Sequence, residues 1–176
     1  MSGALLDVRG LSVAFGPTRA LSGIDLALEP GTRLGLVGES GSGKSTLGLA
    51  VLGLLPRDAA VTGSVRFQGE PLPIADDRAM TRFRGSRIGF IYQDPMSAFS
   101  PVHTIGTHLV RALRAARPGI GRRDAEARAV ALLEEVEISR PRERLRHYPH
   151  EYSGGMLQRV MIAAALVGDP GLLIAD

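Results

Sequence analysis

The apolar positions fall into short runs near the start of the chain and into longer helical repeats beyond its middle. "TRLGLVG" is a short apolar run of the kind that forms a buried strand, and "STLGLAVLGLL" just after it sets Leu and Val on most sides of a predicted helix. "VTGSVRFQGEPL" predicts a strand pair bounded by turns, and "PIADDRAMTRFRGS" a polar connection. "TIGTHLVRALRAA" predicts a helix stopped at Pro118-Gly119. "RRDAEARAVALLEEVEI" predicts another, with Ala129, Leu132, Leu133 and Val136 on one face. "HEYSGGMLQRVMIAAALV" opens with a turn and continues as an apolar helix, for which Ser153 is a suitable N-cap. The last run, "GLLIAD", is apolar and closes on the acid Asp176.

Composition narrows the class. The chain has 176 residues and is 44% hydrophobic and 22% charged, a globular balance that can supply a sizeable core. It has no cysteine, so disulfides and thiolate metal sites are excluded, which fits the cytosol. No signal peptide is legible, and the longest apolar stretch, Val160 to Val167, falls short of the roughly 20 residues that span a bilayer. A soluble chain without internal repeats is expected. The net charge of +3 comes from scattered basic residues with only 5% aromatics, so no nucleic-acid partner is expected. Of the 21 basic residues 20 are Arg, and the single Lys is Lys44.

That lysine stands in Gly38-Glu39-Ser40-Gly41-Ser42-Gly43-Lys44-Ser45, followed by Thr46, and fits G-x-x-x-x-G-K-[ST] between a predicted strand and a predicted helix. Glycines let backbone N–H groups wrap closely around phosphates, and a helix N-terminus adds partial positive charge. Lys44 would reach the β- and γ-phosphates, and the Ser45 hydroxyl would ligate Mg²⁺. The second glycine turn, Ser153-Gly154-Gly155, would expose amides at the start of another helix and offers a second anion site.

Together the two motifs resemble the ATP-binding cassette (ABC) family, whose Leu-Ser-Gly-Gly-Gln signature reads here Tyr152-Ser153-Gly154-Gly155-Met156. The resemblance implies an α/β fold of the P-loop type, with an antiparallel β subdomain, an inserted α-helical subdomain and an incomplete core sheet. It implies three parts: residues 1–92 as nucleotide-binding core with the β subdomain, 93–152 as glutamine loop and helical subdomain, and 153–176 as signature helix and final strand. Two cassettes pair head to tail in this family, so Ser153, Gly154 and Gly155 would cap the γ-phosphate held by a partner cassette. Phe15 stands where an aromatic ring stacks on adenine. Gln93, after "IGFIY", would contact Mg²⁺ and the attacking water. Asp176 would hold the metal together with Ser45.

The resemblance further implies ATP and Mg²⁺ as cofactors, transmembrane permease subunits and a second ATPase subunit as partners, and a substrate-binding protein indirectly. It implies a peripheral place on the cytoplasmic face of the membrane. "QDPMSAFSPVHTIGTH" and "YPHEYSGGMLQRVMIAAAL" look most like ATPases of oligopeptide, dipeptide and nickel importers. His103 and His108 are spaced by five and not by the three or four of helical ligand pairs, and His147 and His150 lack a third ligand, so no nickel site is expected. Where the family often has Gly, this chain has Glu137. The glutamate that follows the family's aspartate, and a later histidine, are not among these residues. The expectation is weak ATP binding and little hydrolysis by this chain alone. Two other readings stand beside it: a catalytically degenerate accessory module, and a soluble ABC ATPase linked to nucleic acid.

Overall fold

A computed structural model of the chain describes residues 3–176. It divides into two compact units, the first running to Thr81 and the second spanning Arg82–Asp176.

The first unit is built on an antiparallel sheet of β1 (Leu6–Phe15), β2 (Thr18–Leu28), β3 (Ala59–Phe67) and β4 (Glu70–Pro71), in the order β2-β1-β3-β4. Strand β1 buries Leu6 and Val8, then Leu11 and Val13. The buried parity switches from even to odd, which an uninterrupted strand cannot do, because alternate side chains face opposite ways. Register shifts between Val8 and Leu11 against β2, and between Arg9 and Ser12 against β3, accommodate the switch and keep both apolar pairs covered. The strand pair expected in "VTGSVRFQGEPL" is present as β3 and β4, with Phe67 opposite Glu70.

Three sequence expectations are corrected in this unit. Residues 33–38 form no strand, and Leu34, Leu36 and Val37 are exposed, Val37 to 98%. An apolar run becomes a buried strand only when a neighbour supplies its ladder hydrogen bonds and covers its faces, and no described strand pairs with this segment. The helix after it, α1 (Lys44–Val51), ends sooner than its apolar sequence suggested, where Leu52 and Gly53 turn back on the carbonyls of Gly48 and Ala50. The supposed polar connection contains a helical turn, α2 (Asp77–Met80), capped by Asp76 and burying Met80 completely.

The second unit is largely helical. Strands β5 (Ile88–Ile91) and β6 (Leu172–Ala175) form a parallel pair. Between them run α3 (Pro95–Ala98), α4 (Ile105–Ala116), α5 (Arg122–Glu135), α6 (Pro141–Arg144), a 3-10 turn at Pro149–Glu151 and α7 (Gly154–Ala165). Helix α4 begins at Thr104, whose Oγ1 accepts the Thr107 N–H at 3.2 Å, and ends before Pro118 as its sequence requires. Helix α5 buries Ala129, Leu132 and Leu133 of the stripe read from its period, and Ala125 besides, with Val136 partly buried at its end. These side chains meet Leu109, Leu113, Leu157 and Val160 in one core cluster. Each fully buried leucine or valine contributes about 1.5–3 kcal/mol by leaving water.

The end of α5 has a particular shape. Glu137 is left-handed (φ 58°), and the Ile138 N–H donates to the Leu133 carbonyl at 2.9 Å, which closes a Schellman cap. The family's usual glycine fits this backbone without strain, and here a glutamate adopts it.

Candidate functional site

The glycine-rich loop sits at the start of α1. Gly41 (φ 81°) and the N-cap Gly43 (φ 93°) are left-handed, a backbone that L side chains rarely adopt. A Cβ at Gly43 would come within 2.7 Å of Leu21 Cδ2 and 2.9 Å of the Ala20 carbonyl, so β2 braces the last turn of the loop. Lys44 curls back over the loop, and its Nζ donates to the carbonyls of Glu39 (2.7 Å) and Gly38 (2.9 Å) and to Ser42 Oγ (3.2 Å). The ammonium therefore stands over the loop's concave backbone. Gly38, Glu39, Ser40, Gly41, Ser42 and Ser45 are exposed, and Gly43, Lys44 and Thr46 are half-buried. An anion placed there would meet the Lys44 cation and the N-terminus of an eight-residue helix.

Phe15 lies in the same unit, half-buried at the tip of the β1–β2 hairpin opposite Thr18. The same hairpin brings Ala20 and Leu21 against Gly43, so the ring and the loop share one end of the sheet.

In the second unit, Gln93 and Asp176 come together at the ends of neighbouring strands. The Asp176 N–H donates to the Ile91 carbonyl at 3.0 Å, extending the β5–β6 ladder by one residue, and Gln93 follows Ile91 by two. Both are exposed. Just beyond Gln93, Asp94 caps α3 by accepting the Met96 N–H at 2.9 Å, so the chain after the glutamine turns sharply.

Ser153 is the N-cap of α7, as its sequence indicated, and its Oγ accepts the Met156 N–H at 3.3 Å. Gly154 and Gly155 are exposed, and a Cβ at either would meet open space. Nothing among the described residues requires glycine at these positions. Their backbone is free for close approach by something outside it.

The sequence did not reveal what steadies this turn. Tyr152 is buried, and its hydroxyl donates to the Arg144 carbonyl at 2.8 Å. Burial pushes its phenol up to about 12, with Arg144 opposing the shift. The Glu151 carboxylate accepts the Tyr148 N–H at 2.6 Å. The second contact is a local capping box three residues long, whereas the first joins residues eight apart and depends on how the chain turns after α6. Of the histidines that invited a metal reading, His108 meets Phe99 edge-on with ring centroids 5.2 Å apart, and His147 Nδ1 lies 3.8 Å from the Glu151 carboxylate.

A glycine-rich anion loop on an α/β scaffold, joined to a helical unit with a capped and open Ser-Gly-Gly turn, defines a P-loop nucleotide-binding cassette of the ABC type. The chain belongs to the ABC transporter family, whose profile matches residues 21–176. It is 51% identical over 176 residues to the oligopeptide transport ATP-binding protein OppD of Mycobacterium tuberculosis, covering 98% of this chain and 29% of that protein. It is 47% identical over 178 residues to the probable peptide ABC transporter ATP-binding protein y4tR of Sinorhizobium fredii, covering 98% of this chain and 53% of that one. The chain thus spans between about a third and about half of these relatives. Among solved structures, the dimeric bacterial ABC transporter cassette MJ0796 superimposes with a TM-score of 0.83 at 27% identity, over 97% of this chain and 73% of that one. The same cassette has also been solved as a dimer bound to ADP and Pi. Among the described residues no helix is long and apolar enough to cross a membrane.

Proposed function

We propose that the chain is the ATP-binding part of a subunit that energises an ABC importer of peptides. The observation that carries this reading is the Lys44 ammonium, held over the glycine-rich loop by the Gly38 and Glu39 carbonyls at the N-terminus of α1. In this reading residues 38–46 bind the triphosphate and Phe15 stacks on the adenine. Ser153, Gly154 and Gly155 cap the γ-phosphate bound by a second ATPase subunit, and the open space over both glycines supports that role. Peptide cargo is favoured because the relatives above are named for oligopeptide and peptide transport. Transmembrane permease subunits are the further partners, with a substrate-binding protein acting through them, and the place of work is the cytoplasmic face of the membrane.

Each unit offers oxygen donors that suit Mg²⁺, the Ser45 hydroxyl in the first and the Gln93 amide and Asp176 carboxylate in the second, all hard ligands of the kind this ion takes. When bound, the ion neutralises phosphate charge. In this reading Gln93, two residues past the end of β5, orients water, and Asp176, just past β6 and bonded through its N–H to Ile91, holds charge.

Binding by these residues alone is weak and turnover slight. The segment leading into the loop, Leu34 to Val37, is exposed and unpaired, so the loop lacks the rigid strand that would preorganise its amides. Titration with a fluorescent ATP analogue tests the proposal. We expect weak, saturable binding that Lys44→Ala reduces by about tenfold or more, since an ionic hydrogen bond to phosphate is lost. Equal binding by the variant would rule this site out.

A further inference from the structure

The helical unit holds a cleft of about 1090 Å³ between α4, α5 and the segment around α6. That is the size of a small-molecule site, on the order of 300–1,000 Å³. Half-buried Val110, Val130, Ala131 and Leu145 form its floor, and its rim is cationic. Arg111, Arg114, Arg123, Arg142 and Arg146 are exposed there, and none makes an ion pair or side-chain hydrogen bond among the described residues. Six arginines against two glutamates leave four positive charges in the cleft, more than the net +3 of the whole chain.

The charge gathers at one end. Residues 117–121 alone connect α4 to α5, so the last turns of the first helix and the first turn of the second close the same end of the cleft. Arg111 and Arg114, one turn apart on α4, meet there with Arg122 and Arg123, the first two residues of α5. A helix N-terminus already carries partial positive charge, so cations are unfavourable at that position. Gly121 supplies no side-chain cap, and Asp124, the acid of the first turn, does not line the cleft. Glu126 is the one carboxylate at this end, and it is taken up by Arg122 at 2.9 Å. A bound anion would relieve the charge that remains.

We propose that this end of the cleft binds a small soluble anion carrying two or more phosphoryl groups. Guanidinium forks pair bidentately with phosphate oxygens, and forks on two walls can hold more than one phosphoryl group. The apolar floor accommodates an organic remainder without selecting it, since no aromatic ring lines the cleft on which a base would stack. No residue of the glycine-rich loop lines this cleft, and the inference does not depend on the ATP reading.

The test is titration of the 176-residue chain with inorganic tripolyphosphate, followed by backbone amide resonances. Shifts should appear at Arg111, Arg114, Arg122 and Arg123, saturate, and weaken with salt. Inorganic phosphate should bind there at least about tenfold more weakly. Arg111→Gln with Arg123→Gln should weaken tripolyphosphate about tenfold or more at these residues. Lys44→Ala, and Arg19→Gln with Arg57→Gln in the other unit, should leave them within about twofold, which separates this site from the loop. Circular dichroism checks folding. Should the glutamine pair misfold, Arg111→Lys with Arg123→Lys, which keeps the charge and loses the forks, should still weaken binding several-fold. Comparing ADP with pyrophosphate then distinguishes the source: tighter ADP means a nucleotide, and equal binding means that the phosphates alone are read. The proposal is overturned by no shifts at these residues, by phosphate binding as tightly as tripolyphosphate, or by equal loss in the arginine pairs of both units. Tighter arginine-dependent binding to phosphatidylglycerol vesicles or duplex DNA would overturn it as well.

Discussion

Lys44 stood out in the sequence because every other basic residue is arginine. A compact ammonium on a flexible stem can fold back over the loop to a carbonyl six residues earlier, which a planar guanidinium fork would do poorly. Glu137 is the opposite case. The sequence marked it only as a departure from the family's glycine, and its left-handed φ of 58° became visible with the backbone. Glu137→Gly should therefore stabilise the fold by about 0.5–1 kcal/mol, even though it gives up an exposed ion pair with Arg159. Chemical denaturation of the two proteins would measure this, and an unchanged midpoint would mean the strain is relieved elsewhere. Tyr152 makes a pH-dependent prediction. The unfolded phenol titrates at the ordinary 10.0 and the folded one at about 12, so the folded state holds the proton more tightly. The stability this provides is complete below pH 10 and is lost as pH rises to about 12. Tyr152→Phe should cost about 1 kcal/mol at neutral pH, by stranding the Arg144 carbonyl, and should fall less steeply than the parent between those limits.

At the scale of elements, legibility followed the source of stability. Helices α4, α5 and α7 were readable because each carries its own cap or stop and a stripe of buried side chains at the helical period. The segment 33–38 was misread because a strand's stability belongs to its neighbours. Three apolar residues specify burial only if a sheet is there to receive them, and here they stand exposed. The bulge in β1 was invisible for a related reason: a parity switch looks like noise until the partner strands show where the register slips. Ser153 is a cap whose worth can be measured. Ser153→Ala should destabilise the second unit by about 1 kcal/mol in thermal unfolding, as loss of an N-cap bond does. No change would mean that the open Ser-Gly-Gly turn is held by Tyr152 and Glu151 alone.

At the scale of the molecule, the two motifs separate cleanly. One unit carries the loop, Lys44 and Phe15, and the other carries Gln93, Asp176 and the Ser153 turn. The sequence conveyed this order, since each motif is local, and family resemblance supplied their joint meaning. It could not convey the arginine cleft, because its walls come from three segments brought together by folding. The central claim is that ATP is received by the loop ahead of α1. The most direct measurement is the change in backbone amide resonances of the chain on titration with Mg-ATP, which reports even weak binding residue by residue. The account predicts the largest shifts at Gly41, Gly43, Lys44 and Ser45, abolished by Lys44→Ala. Shifts centred elsewhere, or shifts that survive that substitution, would contradict it.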